Sequence, residues 1–310
     1  MINIKTRIIA AAVLLPVFFA ILFIFPPIIL TVVVSVICGI AAYELLHATN
    51  MNKNKRVLIY TIFAAAVTPL SIYLSCIPAM TANAKLATEG VPATLGNPAS
   101  TLLLFTLLFS LFFIFACLLL IETVLTIKNT KAIEKGTQLK FRQIPIALAA
   151  GMLIPILLSC IVILKAMPYG HLFVLLPVVA TILTDSGAYF TGVTIGKRKA
   201  FPTISPNKTV EGYVGGTIAG ILGMLIYGLI LSYATTLTII FPALILYGII
   251  GAVVTELGDL AFSFIKRKCG IKDYGKLIPG HGGALDRFDS LTFTAPTMYL
   301  LVITIPAIIL

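Results

Sequence analysis

The sequence predicts an all-α, polytopic integral membrane protein with about nine transmembrane helices, its N-terminus cytoplasmic and its C-terminus outside. Composition is the first reason: 59% of the 310 residues are hydrophobic, 11% are charged, and the mean hydropathy is +1.09. A soluble fold of this length has no need of so much apolar surface. Spacing is the second, because apolar runs recur at about 20 residues, the helix length that crosses a hydrocarbon core ~30 Å thick. Charge placement is the third: threading the chain through the spans gathers 20 of the 22 Lys and Arg residues on one side.

The spans follow in chain order. Ile8 to Phe25 comes first, behind Lys5 and Arg7, a pattern shared with secretory signal peptides. Its run is longer than a signal core and stops at Pro26 and Pro27, not at small residues suited to cleavage, so it is expected to remain as a helix. Ile28 to Ala48 and Val57 to Ile77 come next. Thr81 to Ser100, rich in Ala, Gly, Thr and Pro, reads as an external loop. Ser100 to Ile127, at 28 residues, must tilt or project from the bilayer. Ile144 to Leu164, Leu172 to Ile195, Val210 to Tyr233 and Leu237 to Thr255 are of ordinary length, and the last is expected to continue as helix through Glu256 and Asp259 toward Lys266. Phe288 to Leu310 closes the chain.

Only Lys85 and Lys165 fall on the sparsely basic side, which makes the formal charge of +11 a topology signal first. It adds attraction to anionic lipid headgroups, and nucleic-acid binding is not needed to explain it. The acids are lopsided. All five aspartates follow residue 184, whereas the first 180 residues hold only Glu44, Glu89, Glu122 and Glu134. Residues 1–170 are therefore expected to form a scaffold and lipid-facing wall, and 171–310 a catalytic region. Cys38, Cys76, Cys117 and Cys160 lie in or near apolar runs without metal-ligand spacing, and Cys269 lies on the cytoplasmic side, where disulfides are rare. No internal repeat of the transporter kind is evident.

Chemistry is densest from Ser263 to Ser290, SFIKRKCGIKDYGKLIPGHGGALDRFDS, with six basic residues, three aspartates, a histidine and five glycines beside membrane spans. Lys and Arg neutralise phosphates, and carboxylates hold Mg²⁺. Glu256 and Asp259 are three apart, as are Asp286 and Asp289, so each pair shares a helical face where helix persists. Two such pairs at adjacent helix ends could converge on one or two cations. The other reading is that these acids pair with Lys266, Arg267 and Arg287 to solvate the loop. Between them Pro279, Gly280, His281, Gly282 and Gly283 give a backbone able to approach a phosphate closely. Upstream, DSGAYFTGVTIGKRKAFPTISPNKTVEGYVGG places Asp185 inside an apolar span and puts Gly187, Ala188 and Gly192 on nearly one face. Ser205, Lys208 and Thr209 precede a helix start with Glu211 in its first turn, where anions are welcome, although Ser205 or Thr209 could simply cap that helix while Lys208 faces water. Neither a Walker A sequence nor a Rossmann fingerprint is present. A cation-coupled transporter lined by Asp185, Glu256 and Asp259 is the second functional reading, but it leaves the basic PGHGG loop without a task.

Ser263, Lys266, Arg267, Lys272, Asp273, Pro279, His281, Gly282, Gly283, Asp286, Arg287 and Asp289, with their spacing, resemble the C-terminal motif of phosphatidate cytidylyltransferases, also called CDP-diacylglycerol synthases. DSGAYFTG and SPNKTVEG are similar to that family too. The resemblance is clear from about Asp185 to Ser290 and weaker across the N-terminal spans. Ala284 departs from it, since the family tends to have a larger aliphatic residue there. The resemblance implies a membrane enzyme that joins CTP to phosphatidate with Mg²⁺, and it allows a monovalent cation such as K⁺ beside the divalent one. It implies metal ligation by Asp259 and Asp286 with Asp289 nearby, and a catalytic set of Asp259, Asp286, Asp289, Lys266 and Arg267. Substrate phosphates are assigned to Ser205, Lys208, Lys272, His281, Gly282, Gly283 and Arg287, with Asp185, Glu256 and Asp273 as supporting acids. Expected partners are CTP, phosphatidate and the bilayer, with a homodimer allowed and no nucleic acid. The expected location is a bacterial inner membrane, with the site facing the cytoplasm.

Overall fold

The computed structural model describes residues 16–88, 98–127, 139–275 and 282–309. Residues 16–23 are helical, the described end of the first expected span. Helix α1, Pro27–Ala48, starts on a proline whose missing N–H costs nothing in a first turn. Asn50, at φ 57°, reverses the chain, and the Asn54 side chain then accepts the Arg56 and Val57 N–H groups to start α2, Lys55–Thr88. Thr81–Thr88, expected as loop, is helix. The loop reading weighed Gly, Thr and Pro, while the stretch itself is TANAKLAT, where alanine favours helix. Residues 89–97 lie outside the described residues.

Helix α3, Pro98–Ile127, forms an outer wall, with Phe105 and Phe109 74% and 69% exposed where lipid would cover them. Helix α4, Phe141–Ala166, contains a π-helical turn at Ala149–Leu153, and α5 spans Gly170–Thr194. An antiparallel hairpin, β1 (Lys199–Phe201) and β2 (Ser205–Thr209), leads into α6, Val210–Ala234. Strand β3, Thr238–Ile239, precedes α7, Phe241–Lys268, which continues past Glu256 and Asp259 as expected. Helix α8 runs over Leu285–Thr304. The last residues do not extend that helix, as the ninth expected span required. Pro306 cannot continue it, and β4, Ile308–Ile309, pairs with β3 instead.

Among the described residues α1 to α7 are long and apolar enough to cross a membrane. Helix α8, with Asp286, Arg287 and Asp289 at its start, is more polar and packs into the same bundle. The protein is an all-α, polytopic membrane protein; among the described residues its sheets are the two short antiparallel pairs. Helix α5 packs along α6, α6 along α7, α7 along α8, and α5 also touches α7 and α8.

In a bilayer no hydrophobic force drives helices together, so close van der Waals approach must do it. The small face of α5 provides that approach. A Cβ on Gly187 would overlap the Ala219 side chain, and one on Gly216 of α6 would sit 3.0 Å from the Ala188 Cβ and 2.8 Å from Glu256 Oε1. Gly187→Leu is expected to push α5 from α6 and cost on the order of 1–3 kcal/mol, read as a lower unfolding midpoint in detergent. An unchanged midpoint would contradict this packing.

Candidate active site

The C-terminal half of α5, the start of α6, the C-terminal half of α7 and the start of α8 meet, and the acids and lysines singled out by sequence are brought there by local structure. Thr209 caps α6, its Oγ1 accepting the Gly212 N–H at 3.1 Å, so the capping reading of that residue holds. Glu211 accepts the Lys197 and Arg198 N–H groups at 3.1 and 3.2 Å and the Arg198 Nε at 3.3 Å, fixing the hairpin base. Lys208, one residue before the cap, then turns inward.

Lys208 Nζ forms an ion pair with Asp259 Oδ2 on α7 and lies 5.3 Å from the Tyr213 ring centroid. The Ser263 hydroxyl donates to Asp259 Oδ1 at 3.3 Å. Burial disfavours the Lys208 ammonium, but Asp259 outweighs it, helped by Tyr213 and Asp185, so its pKa lies above the ordinary lysine value. Both side chains of the pair remain 26% exposed, so solvent or a ligand reaches it.

A second pair is drier. Lys266 Nζ donates to Asp286 Oδ1 at 2.9 Å, with side-chain exposures of 11% and 4%. Asp286 Oδ2 accepts the N–H groups of Tyr274 at 2.8 Å and Gly283 at 3.0 Å, so this carboxylate also ties the motif loop to α8. Lys266 lies 5.6 Å from the Tyr274 ring centroid. The Tyr274 phenol donates to the Phe262 carbonyl at 3.1 Å, and burial, with the charges of Asp286 and Asp289, raises its pKa above the ordinary phenol value.

Further acids adjoin the pairs. Asp289 is buried, accepts the Ser290 N–H at 2.7 Å, and feels the charges of Asp259 and Asp185. Asp185 is exposed on α5. Glu256 is buried, and its Oε1 has no hydrogen-bond partner among the described residues, as is true of the nearby Tyr213 and Thr184 hydroxyls. Two lysines thus face five carboxylates.

Other expected site residues stand apart. Arg267 is exposed and donates to the carbonyls of Ile204 at 3.1 Å and Ile271 at 3.3 Å, linking α7 to the hairpin. Ser205 is half-buried on β2, Arg287 is exposed, and Gly282 adopts φ 93°. Lys272 and Asp273 are exposed and join no ion pair among the described residues. Pro279, Gly280 and His281 lie outside the described residues. The five cysteines form no disulfide, and burial pushes the Cys269 thiol up.

Sequence reasoning did not single out Tyr213, Tyr274 or Glu44. Both tyrosines lay in the quoted motifs, but nothing local marks a ring that will sit beside a lysine. Glu44, a lone acid in an apolar helix, was a detectable signal. Its carboxylate accepts the Ala284 and Leu285 N–H groups at 3.1 and 2.9 Å.

The groups here able to meet a hard cation are carboxylates. Asp259 and Asp289 offer carboxylate oxygens not fully used by the protein, beside an unpartnered Glu256 oxygen. Among the described residues no group of three or more His, Cys, Asp or Glu side chains is placed to hold a metal ion by itself. A Mg²⁺ ion here would take one or two of these carboxylates and need water and substrate phosphate for its other positions.

These features define the class as a polytopic membrane protein whose C-terminal helices gather lysine–carboxylate pairs beside surplus acids. The chain belongs to the cytidylyltransferase family, whose sequence model matches residues 5–305. It is similar to the phosphatidate cytidylyltransferase of Bacillus subtilis (strain 168), 38% identical over 188 residues, which is 61% of this chain and 66% of that protein. A phosphatidate cytidylyltransferase of Staphylococcus saprophyticus is 42% identical over 136 residues, 44% of this chain and 51% of the relative. One from Staphylococcus aureus (strain COL) is 41% identical over 121 residues, 39% of this chain and 45% of the relative. The matched stretches thus cover between 45% and 66% of these relatives' own length.

The two ion pairs should respond differently to loss of the lysine. Lys266→Met leaves the buried Asp286 without its cation and is expected to cost ~3–5 kcal/mol. Lys208→Met, at the more open pair, is expected to cost about 1 kcal/mol or less. Unfolding of both variants in the same detergent checks the order, and equal losses would contradict it.

Proposed function

We propose that this chain is a phosphatidate cytidylyltransferase, converting CTP and phosphatidate to CDP-diacylglycerol and pyrophosphate. The observation that carries the reading is the open Lys208–Asp259 pair beside the drier Lys266–Asp286 pair, with Asp289 and Asp185 within electrostatic reach. A phosphate-binding centre needs cations held in place and acids that keep them there. The names of the relatives point the same way.

The reaction joins two polyanions, so charge must be offset before the reacting atoms meet. A phosphatidate oxygen bonds to the α-phosphorus of CTP, the bond from that phosphorus to the bridging oxygen breaks, and pyrophosphate leaves with the bond electrons. No covalent enzyme intermediate is required. Lys208 is poised to exchange Asp259 for a phosphate, because the pair is open and its ammonium is held charged. Lys266, Arg267, Lys272 and Arg287 supply further positive charge, with Lys266 anchored by Asp286. We assign Ser205, the Gly282–Gly283 backbone and His281 to the substrate phosphates. Mg²⁺, held among Asp259, Asp286 and Asp289, would neutralise the phosphates and stabilise the leaving pyrophosphate. K⁺ is a further candidate beside it. Asp185, Glu256 and Asp273 are the supporting acids.

The site's place at helix ends fits the substrates. Phosphatidate arrives sideways with its chains in lipid, while CTP enters from water. The Lys and Arg bias supports a cytoplasmic side for that water. A cation-coupled transporter is the second reading, favoured by the unpartnered Glu256 oxygen.

The test is CDP-lipid formation from CTP and phosphatidate by purified protein in mixed micelles, with cation uptake measured in parallel in proteoliposomes. Mg²⁺-dependent product is expected, falling by at least ~10³-fold in folded Asp259→Asn or Asp286→Asn, the scale at which losing one group that meets transition-state charge is felt. Unchanged Mg²⁺-dependent turnover in both variants would refute their roles. Cation uptake without CDP-lipid would favour the transporter.

A further inference from the structure

We infer that Glu44 is a positioning residue for the site, an acid on α1 that caps α8 and thereby sets where Asp286 and Asp289 stand. This rests on the activity proposed above for those aspartates. The N-terminal helices otherwise look like scaffold, so a chemical link from α1 to the motif is informative.

Helix α8 has no cap of its own. Its N-cap position is Ala284, whose methyl group accepts nothing, and among the described residues no local side chain caps the helix. The first amides of a helix need acceptors, and a carboxylate there is favoured by both hydrogen bonds and the helix dipole. Glu44 supplies it from 240 residues away, one oxygen taking the Ala284 N–H and the other the Leu285 N–H. The carboxylate is 4% exposed, so water does not substitute for it.

The loop is shaped around that carboxylate. A Cβ on Gly275 or on Gly283 would overlap Glu44 Oε1, so the chain passes against it before the PGHGG segment and again at that segment's last residue. The same two places serve Asp286, which accepts the N–H of Tyr274, next to Gly275, and the N–H of Gly283, next to Ala284. Glu44 and Asp286 therefore clasp one loop from two sides, and Asp286 in turn holds Lys266. A shift at Glu44 passes through shared backbone to the buried ion pair. A passive anchor would need no such sharing.

The experiment uses the full chain in detergent or nanodiscs, with Glu44→Gln, Glu44→Ala, Gly275→Ala and the Glu44→Ala/Gly275→Ala double variant. Two readouts are taken: hydrogen exchange over residues 282–290, and kcat and KM for CTP. Exchange at the Ala284 and Leu285 amides should quicken about tenfold in Glu44→Ala and less in Glu44→Gln, which keeps one acceptor oxygen. Turnover should fall roughly tenfold or more, with KM within about twofold, the pattern of misplaced reacting groups. Gly275→Ala should act in the same direction, because its new methyl displaces the carboxylate. The double variant should be no worse than Glu44→Ala alone, since the clash is gone. Unchanged exchange, or additive losses in the double variant, would overturn the inference. So would normal kcat in a folded Glu44→Ala protein that exchanges faster, because the cap would then be structural only. If the wild type makes no CDP-lipid at all, the proposed activity fails, while exchange still decides whether Glu44 holds α8.

Discussion

A carboxylate in or beside a hydrocarbon layer is tolerated only when a cation or a set of hydrogen-bond donors meets it, and the C-terminal half of this protein is organised by that requirement. Asp259 meets Lys208, Asp286 meets Lys266 and two backbone amides, and Glu44 meets the open end of a helix. Each solution ties together separate elements: the hairpin to α7, α7 to α8, and α1 to α8. The remaining acids, Asp185, Glu256 and Asp289, crowd the same volume with fewer partners.

Close helix packing makes the arrangement possible. Gly187, Ala188 and Gly216 let α5 and α6 approach until side chains on α7 lie against the α6 backbone, as Glu256 does at Gly216. Larger residues there would widen the gap, and Lys208 would not span it to reach Asp259. The glycines beside Glu44 act in the same sense on the loop. Small residues therefore set the distances over which the charged residues work.

Sequence legibility followed how local each cause was. The extension of α7 through Glu256 and Asp259 was readable because apolar periodicity and the three-residue acid spacing agree over one continuous segment. The alternative pairing of Asp286 with Lys266 was readable as a possibility, since both sit in one motif. The partner of Lys208 was not, because a hairpin and a cap aim that side chain across to another helix. Glu44 was harder still, as its partners are backbone amides, which leave no trace in sequence. The two misread segments have plain reasons. Alanine carried α2 through Thr88 against a loop-like composition, and Pro306 ended α8 inside an apolar run.

The most direct measurement is Mn²⁺ binding, followed by electron paramagnetic resonance, to wild type and to the Asp259→Asn and Asp289→Asn variants in nanodiscs without nucleotide. If surplus carboxylates on α7 and α8 await a hard cation, wild type should show one saturable site that Mg²⁺ displaces, and each variant should lose it while remaining folded. Equal Mn²⁺ affinity in all three proteins, or none in wild type even with CTP added, would contradict that account of the site.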